Sequence, residues 1–360
     1  MSLPENPKGQ LSLDMTDEHD GQADENIASS LEQATLEGNI PRLKELLLSG
    51  VSVSTPISSR EFTALHLAVS SGNEAMVKTL IDAGANVSAQ TYDGVTPLHN
   101  AAADNSVELA KLLLGAGADA KSCNSDNETP LHVAALFGGK RLASLLIDAG
   151  CDISAKDCYG NTALHIAAAH ESLELVQFLL SSGADPNAVN NNEDTVLHHA
   201  VADGPDSVEL LLENGADIHS PGQFGDTLLH RAAQSSASLL QVFLNAGADH
   251  TAVNDYGYTP LHQAAAYGDI EQIQILLDAG AGVKATTKNE ETVLHLLAGD
   301  LDMSTGMMGE PKDASKKARL FIDAGVDINA IAVGQTALSR AQRCGHSRVA
   351  ETLRERGALE

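Results

Sequence analysis

The chain has 360 residues, with 22 Lys and Arg against 49 Asp and Glu and a formal net charge of -27 at pH 7. Such acidity repels phosphate backbones and anionic bilayers, so nucleic acid and membrane insertion are excluded from the expected partners. No stretch is long and apolar enough for a membrane span, and the four cysteines contain no CxxC pair that would signal a zinc site.

The first residues carry Glu5, Asp14, Asp17, Glu18, Asp20, Asp24 and Glu25 against the single Lys8, with no apolar run of signal-peptide length. Residues 1–27 are expected to be an acidic disordered tail, and export through a secretory signal is not expected. From Ala28 to Gly50, Leu31, Ala34, Leu43, Leu46 and Leu47 follow a helical period. That segment reads as an amino-terminal cap, 28–59.

The dominant pattern comes next. Thr-x-Leu-His is written eight times, at Thr63, Thr96, Thr129, Thr162, Thr195, Thr227, Thr259 and Thr292, in steps of 33, 33, 33, 33, 32, 32 and 33 residues. A unit this short cannot bury an apolar face by itself, so the copies must stack, each against its neighbours. The expected fold is all-α, a solenoid of stacked helix pairs forming one domain.

The unit at Thr162 shows the pattern. Thr162-Ala-Leu-His165 opens a short helix with Thr near its cap, and Leu175, Val176, Leu179 and Leu180 form the apolar stripe of a second helix that Gly183 stops. The connecting tips carry glycine two residues before the motif threonine at Gly94, Gly160, Gly225, Gly257 and Gly334. Glu61, Glu193 and Glu290 hold that place elsewhere, and those three tips are expected to turn differently because glutamate tolerates a positive φ poorly.

Eight motif repeats fill 60–332. The step from Thr292 to Thr336 is 44 residues, which places an insertion within 299–317, including Met303, Met307 and Met308. A surface insertion explains it, and an adaptable apolar contact made by the methionines is the second reading. Thr336-Ala-Leu-Ser339 opens a closing cap, 333–360, studded with Arg340, Arg343, Arg348, Arg354 and Arg356.

The segments TPLHNA at Thr96, TPLHVA at Thr129 and TPLHQA at Thr259 resemble the ankyrin repeat. The resemblance covers 28–360 as about ten repeats. It implies helix pairs with β-hairpin fingers and a concave surface that binds another protein. It also places most aromatic residues on the fingers or inner helices that face this groove: Phe62, Tyr92, Phe137, Tyr159, Phe224, Tyr256, Tyr258 and Tyr267. Asp93, Asp126, Asp194, Asp226 and Asp255 alternate with them. Aromatic faces between carboxylates suit Lys or Arg, so the expected partner is a basic protein segment.

The eight motif histidines, His66, His99, His132, His165, His198, His230, His262 and His295, do not read as metal ligands. Stacked units stand about 8–10 Å apart, whereas two nitrogens on one zinc lie within about 4 Å. Each is expected to bridge backbone groups between repeats. Cys151 reads as a small buried hydrophobe of a reducing compartment, while Cys123 and Cys158 fall on consecutive tips, where oxidation is chemically open.

No GxSxG, HExxH or GxxxxGK occurs. The expected role is a non-catalytic scaffold or adaptor, monomeric, without cofactor or metal, in the cytoplasm or nucleus. Two alternatives are an inhibitor or host-directed effector that occupies a partner's site, and an enzyme using a groove residue such as His170 or an acid beside the insertion. Asn187 and Asn329 match the asparagine that hydroxylases modify in this family, but Ser88, Lys121, Ser154, His219, Thr251 and Lys284 replace it elsewhere, which favours a loop-stabilising role.

Overall fold

The computed structural model describes residues 17–58, 60–137, 139–170, 172–202, 204–299 and 312–359. Twenty α-helices lie among them, and the chain divides into two compact units. One comprises the described residues through Ala134 together with Arg141–Cys151, and the other Ala135–Lys140 together with those from Asp152 onward.

In the first unit the helices are α1 (Asp17–Leu36), α2 (Ile40–Leu48), α3 (Ala64–Ser70), α4 (Glu74–Asp82), α5 (Pro97–Ala103) and α6 (Val107–Gly115). Helices α7 (Pro130–Leu136) and α8 (Lys140–Asp148) contribute to both units. The inner helix α3 packs between α1 and α5, and the outer helix α4 packs on α6. Helix α1 begins at Asp17, and residues 1–16 of the expected tail lie outside the described residues.

The second unit holds α9 (Ala163–Ala169), α10 (Leu173–Ser181), α11 (Val196–Ala200), α12 (Pro205–Glu213), α13 (Leu228–Ser235) and α14 (Ala237–Asn245). It continues through α15 (Pro260–Ala266), α16 (Ile270–Asp278), α17 (Val293–Ala298), α18 (Ala314–Asp323), α19 (Ala337–Cys344) and α20 (Ser347–Glu355). Odd-numbered helices pack in series as an inner layer and even-numbered ones as an outer layer. The inserted stretch falls between α17 and α18, and its residues 300–311 lie outside the described residues.

Threonine starts each inner helix for a physical reason. Thr162 has the extended backbone of an N-cap, its N–H donates to His165 Nδ1 at 3.1 Å, and its hydroxyl lies 2.9 Å from the same nitrogen. The motif is thus a capping box in which histidine replaces the usual Glu or Gln. Ser339 takes the same place in the closing cap, accepting from the Thr336 N–H at 3.1 Å.

The core repeats with the same period. Four residues before each helix-stopping glycine stands a side chain with no exposure: Leu80, Leu113 and Leu146 in the first unit, then Leu179, Leu211, Phe243, Leu276, Phe321 and Leu353 in the second. Each such burial contributes roughly 1.5–3 kcal/mol against exposure. Alanine pairs on the inner helices, such as Ala167–Ala168 and Ala232–Ala233, are equally buried and let neighbouring helices approach closely.

The finger turns correct one expectation. Glu61, Glu193 and Glu290 adopt φ of 60°, 64° and 63°, the same left-handed conformation as Gly160 at 79° and Gly257 at 78°. They also make the same turn bond, Glu290 N–H to Thr287 O at 2.9 Å matching Gly257 N–H to Asn254 O at 2.9 Å. Bonds made by the rest of the finger outweigh the side-chain penalty. Thr287 O accepts from Glu290, its N–H donates to Glu291 O, and its hydroxyl accepts from the Glu291 N–H at 3.2 Å. Regular strands are short, Ile331–Ala332 with Gln335–Thr336, so the fingers are mostly hydrogen-bonded turns.

Candidate functional site

Most of the histidine ladder is committed to structure. With Nδ1 accepting from the motif threonine, the ring proton sits on Nε2, which donates to a carbonyl of the next finger. His66 reaches Val95 at 3.1 Å and His99 reaches Glu128 at 3.0 Å in the first unit. His198 reaches Asp226 at 3.3 Å, His230 reaches Tyr258 at 2.8 Å and His295 reaches Gln335 at 3.1 Å in the second. His165 and His262 face the carbonyls of Asp194 and Glu291, but their Nε2 atoms fall short of hydrogen-bond geometry. Burial holds His66, His99, His230 and His295 below the ordinary imidazole range, and lowers His165, His198 and His262 to about 4. These rings are neutral near pH 7. Among the described residues no cluster of His, Cys, Asp and Glu is arranged to hold a metal ion.

Most of the aromatic residues stand where a partner can touch them. In the first unit Tyr92 is 79% exposed on its tip, Asp93 and Asp126 are exposed, and Phe62 is half-buried with its ring 5.4 Å from that of His66. In the second unit Phe137, Tyr159, Phe224, Tyr256 and Tyr267 are all exposed. Three of its rings form a row: Phe224 lies 5.9 Å from Tyr256, and Tyr256 lies 6.2 Å from Tyr258. Half-buried Tyr258 stacks on His262 at 6.0 Å, which ties the row to the ladder.

Main-chain bonds fix the row. The Asp255 N–H donates to Phe224 O at 2.9 Å, and the Lys288 N–H donates to Tyr256 O at 3.1 Å. Phe224 itself holds φ 59° and ψ 23°, a costly conformation for a bulky residue. A main chain held in this way loses little further freedom when a partner binds.

The acids divide into two groups. Asp255 is exposed beside Tyr256, and Asp226 is half-buried, accepting from Asn254 Nδ2 at 2.8 Å. Asp194, expected on the partner-facing rim, is corrected: it is 6% exposed, paired with Arg231, and accepts from the Gln223 N–H at 3.0 Å. Burial opposes its ionisation, yet the hydrogen bonds from Arg231 and Gln223 hold its carboxyl below the ordinary range. Glu291 is likewise buried and paired with Arg340. Arg231 and Arg340 carry no motif signal; what marks them is register, each standing four residues after a motif threonine and pairing with the acid just before the previous one.

A cavity of about 70 Å³ opens beside the row, lined by Tyr258, Tyr267, Leu296, Glu291, His295 and Arg340 among others. Its histidine, carboxylate and guanidinium are bonded to Gln335, Arg340 and Glu291, leaving none of the three free as a proton carrier. His170 ends α9 as its C-cap residue. Asn187 donates to Gly215 O at 3.0 Å and accepts from the Asp217 N–H at 2.7 Å, and Asn329 accepts from the Leu359 N–H at 2.8 Å, so both tie adjacent loops together. All four cysteines are reduced; Cys151 is buried with its thiol 3.7 Å from Thr129 Oγ1, and Cys158 is exposed. No helix among the described residues is long and apolar enough to cross a membrane.

Three segments, residues 31–122, 100–190 and 197–289, match the family model described as Ankyrin repeats (3 copies). No match was found among curated proteins.

Proposed function

The chain belongs to the ankyrin-repeat family, a family of protein-interaction modules, and from that premise we propose that it is a non-catalytic scaffold or adaptor whose inner face captures a basic segment of another protein. The observation that carries this is the ring row Phe224, Tyr256 and Tyr258 with exposed Asp255 within it. Cations gain from both ring faces and carboxylates, and the net charge of -27 steers them inward. Tyr92, Asp93 and Asp126 offer the same chemistry in the first unit, and Phe137 and Tyr159 extend it in the second. The protein acts as a monomer in the cytoplasm or nucleus in this reading.

Substituting Tyr256→Ala together with Tyr267→Ala tests it. The expected result is a loss of about 1 kcal/mol or more in binding to a Lys- and Arg-rich peptide, with helical content unchanged. Undiminished affinity in the folded double variant removes the row from the binding surface.

A further inference from the structure

If the partner is basic, its cations need defined places, and one repeat interface of the second unit is built differently from its neighbours in this respect. At two interfaces the residue just before a motif threonine meets the residue four after the next one. Asp194 pairs with Arg231 and Glu291 pairs with Arg340 in this register. Asn161 and His199, related in the same way, are joined through Asn190 Nδ2, at 2.9 Å from Asn161 Oδ1 and 3.1 Å from His199 Nε2. The register sets Asp226 against Gln263, and there no arginine is supplied.

Gln263 is 7% exposed, and its Oε1 is buried without a hydrogen-bond partner among the described residues. An unpaired carbonyl in that setting has given up water and received nothing in return. Asp226 uses Oδ1 to accept from Asn254 and remains half-buried beside the finger that bears Phe224. Two acceptors therefore stand at a place where two related interfaces hold a guanidinium.

We propose that Asp226 and Gln263 form a receptor for the guanidinium of a partner arginine, filling from outside the place that Arg231 and Arg340 fill from within the chain. This rests on the basic-partner reading and deepens it. The carboxylate supplies a charge-assisted bond and the amide oxygen accepts a second N–H; a planar fork of donors serves both at once, which a single ammonium does less well. Because the Gln263 amide oxygen is unbonded, turning it toward the arriving group breaks no hydrogen bond at that atom. The rings of Phe224, Tyr256 and Tyr258 offer their faces to the same cation's stem and plane. The strained backbone of Phe224, which glycine would adopt freely, fits a residue kept for its ring.

Adding the missing arginine in cis is the direct test. A fluorescently labelled (Arg-Gly-Gly)4 peptide is titrated at low salt against the full chain, Gln263→Arg, Asp226→Asn, the Tyr256→Ala/Tyr267→Ala pair, and Gln241→Arg. The last makes the same charge change on the exposed outer helix α14. Gln263→Arg and Asp226→Asn are each expected to weaken binding at least tenfold, with Gln241→Arg within twofold of the unaltered chain, and a Lys-Gly-Gly peptide is expected to bind several-fold less tightly. Thermal unfolding of Gln263→Arg should be unchanged or shifted upward; if that variant does not fold, the near-isosteric Asp226→Asn decides alone. Equal binding by Gln263→Arg and Gln241→Arg, with Asp226→Asn also unchanged, overturns the receptor. If the tyrosine pair still weakens binding in that case, the broader reading survives. If no variant has an effect, or the peptide does not bind the unaltered chain, both fall.

Discussion

His230 donates its Nε2 proton to the main-chain carbonyl of Tyr258 at 2.8 Å, while its Nδ1 accepts from the Thr227 N–H at 3.1 Å. One imidazole therefore caps its own helix and holds the next finger, the one that carries the innermost ring of the proposed site. Replacing it with leucine keeps the volume and loses both bonds. A drop of about 1–3 kcal/mol in unfolding free energy is expected, since the Thr227 N–H is left unpaired and Tyr258 O keeps only the bond from the Asn254 N–H. Urea titration at pH 7.5 measures it, and an unchanged midpoint contradicts the double role.

The same rings make stability fall with acid. Their folded pKa lies below the unfolded value near 6.5, so between those values the unfolded chain binds more protons and protonation favours unfolding. The stabilisation is complete above about pH 6.5 and is lost as pH falls toward about 4, where His165, His198 and His262 titrate in the folded state. Each removes up to about 1.4 kcal/mol per pH unit in that window. Urea midpoints at pH 7.5, 6 and 5 should therefore decrease steeply; a flat profile would show that these rings titrate normally.

The Arg231–Asp194 pair is expected to behave as a unit. Arg231→Met leaves the 6% exposed Asp194 carboxylate without its counter-ion and should cost up to about 3 kcal/mol. Adding Asp194→Leu should restore part of that loss, because the unpaired buried charge is then gone, although the Gln223 N–H loses its acceptor. A double-mutant cycle gives the coupling, and additive single effects would deny the pairing.

Left-handed glutamates can be improved. Glu193→Gly and Glu290→Gly relieve φ of 64° and 63°, and each is expected to raise stability by about 0.5–1 kcal/mol, less the entropy glycine costs the folded state. Differential scanning calorimetry reads the shift, and lower melting points would mean the glutamate side chains do more than occupy the turn.

Lys317 is 3% exposed on α18 and donates to Gly268 O. Eight residues before the stop glycine, the corresponding place is held by Leu175, Leu239 and Val349 in three other repeats of the second unit and by Ser207 and Gln272 in two. Burial lowers its pKa, so the charged form is disfavoured in the fold and stability should rise with pH toward the ordinary lysine range. Lys317→Met removes the buried ammonium and is expected to stabilise by about 1 kcal/mol in chemical denaturation. Destabilisation would show that the bond to Gly268 outweighs the burial of the ammonium.

Local chemistry was legible wherever it repeats. The Thr-x-Leu-His period told where inner helices begin, and Leu175, Val176 and Leu179 were readable as core from the apolar stripe that Gly183 ends. Positions such as Glu290 were misleading because propensity disfavours the turn, whereas the bonds made by Thr287 decide it. The finger aromatics were legible as a class, but their joining into the row from Phe224 to Tyr258 was not.

By itself the sequence determined the repeat, its core and the acidic aromatic fingers, because each depends on residues within one unit of about 33. Only tertiary structure decided which acids remain available. Asp194 and Glu291 are neutralised by arginines one repeat further on, while Asp226 is half-buried and accepts from Asn254, and that difference arises from stacking register and burial between repeats distant in the chain. A carboxylate's role is set by what desolvates it and what charge it meets there, and neither is written at its own position.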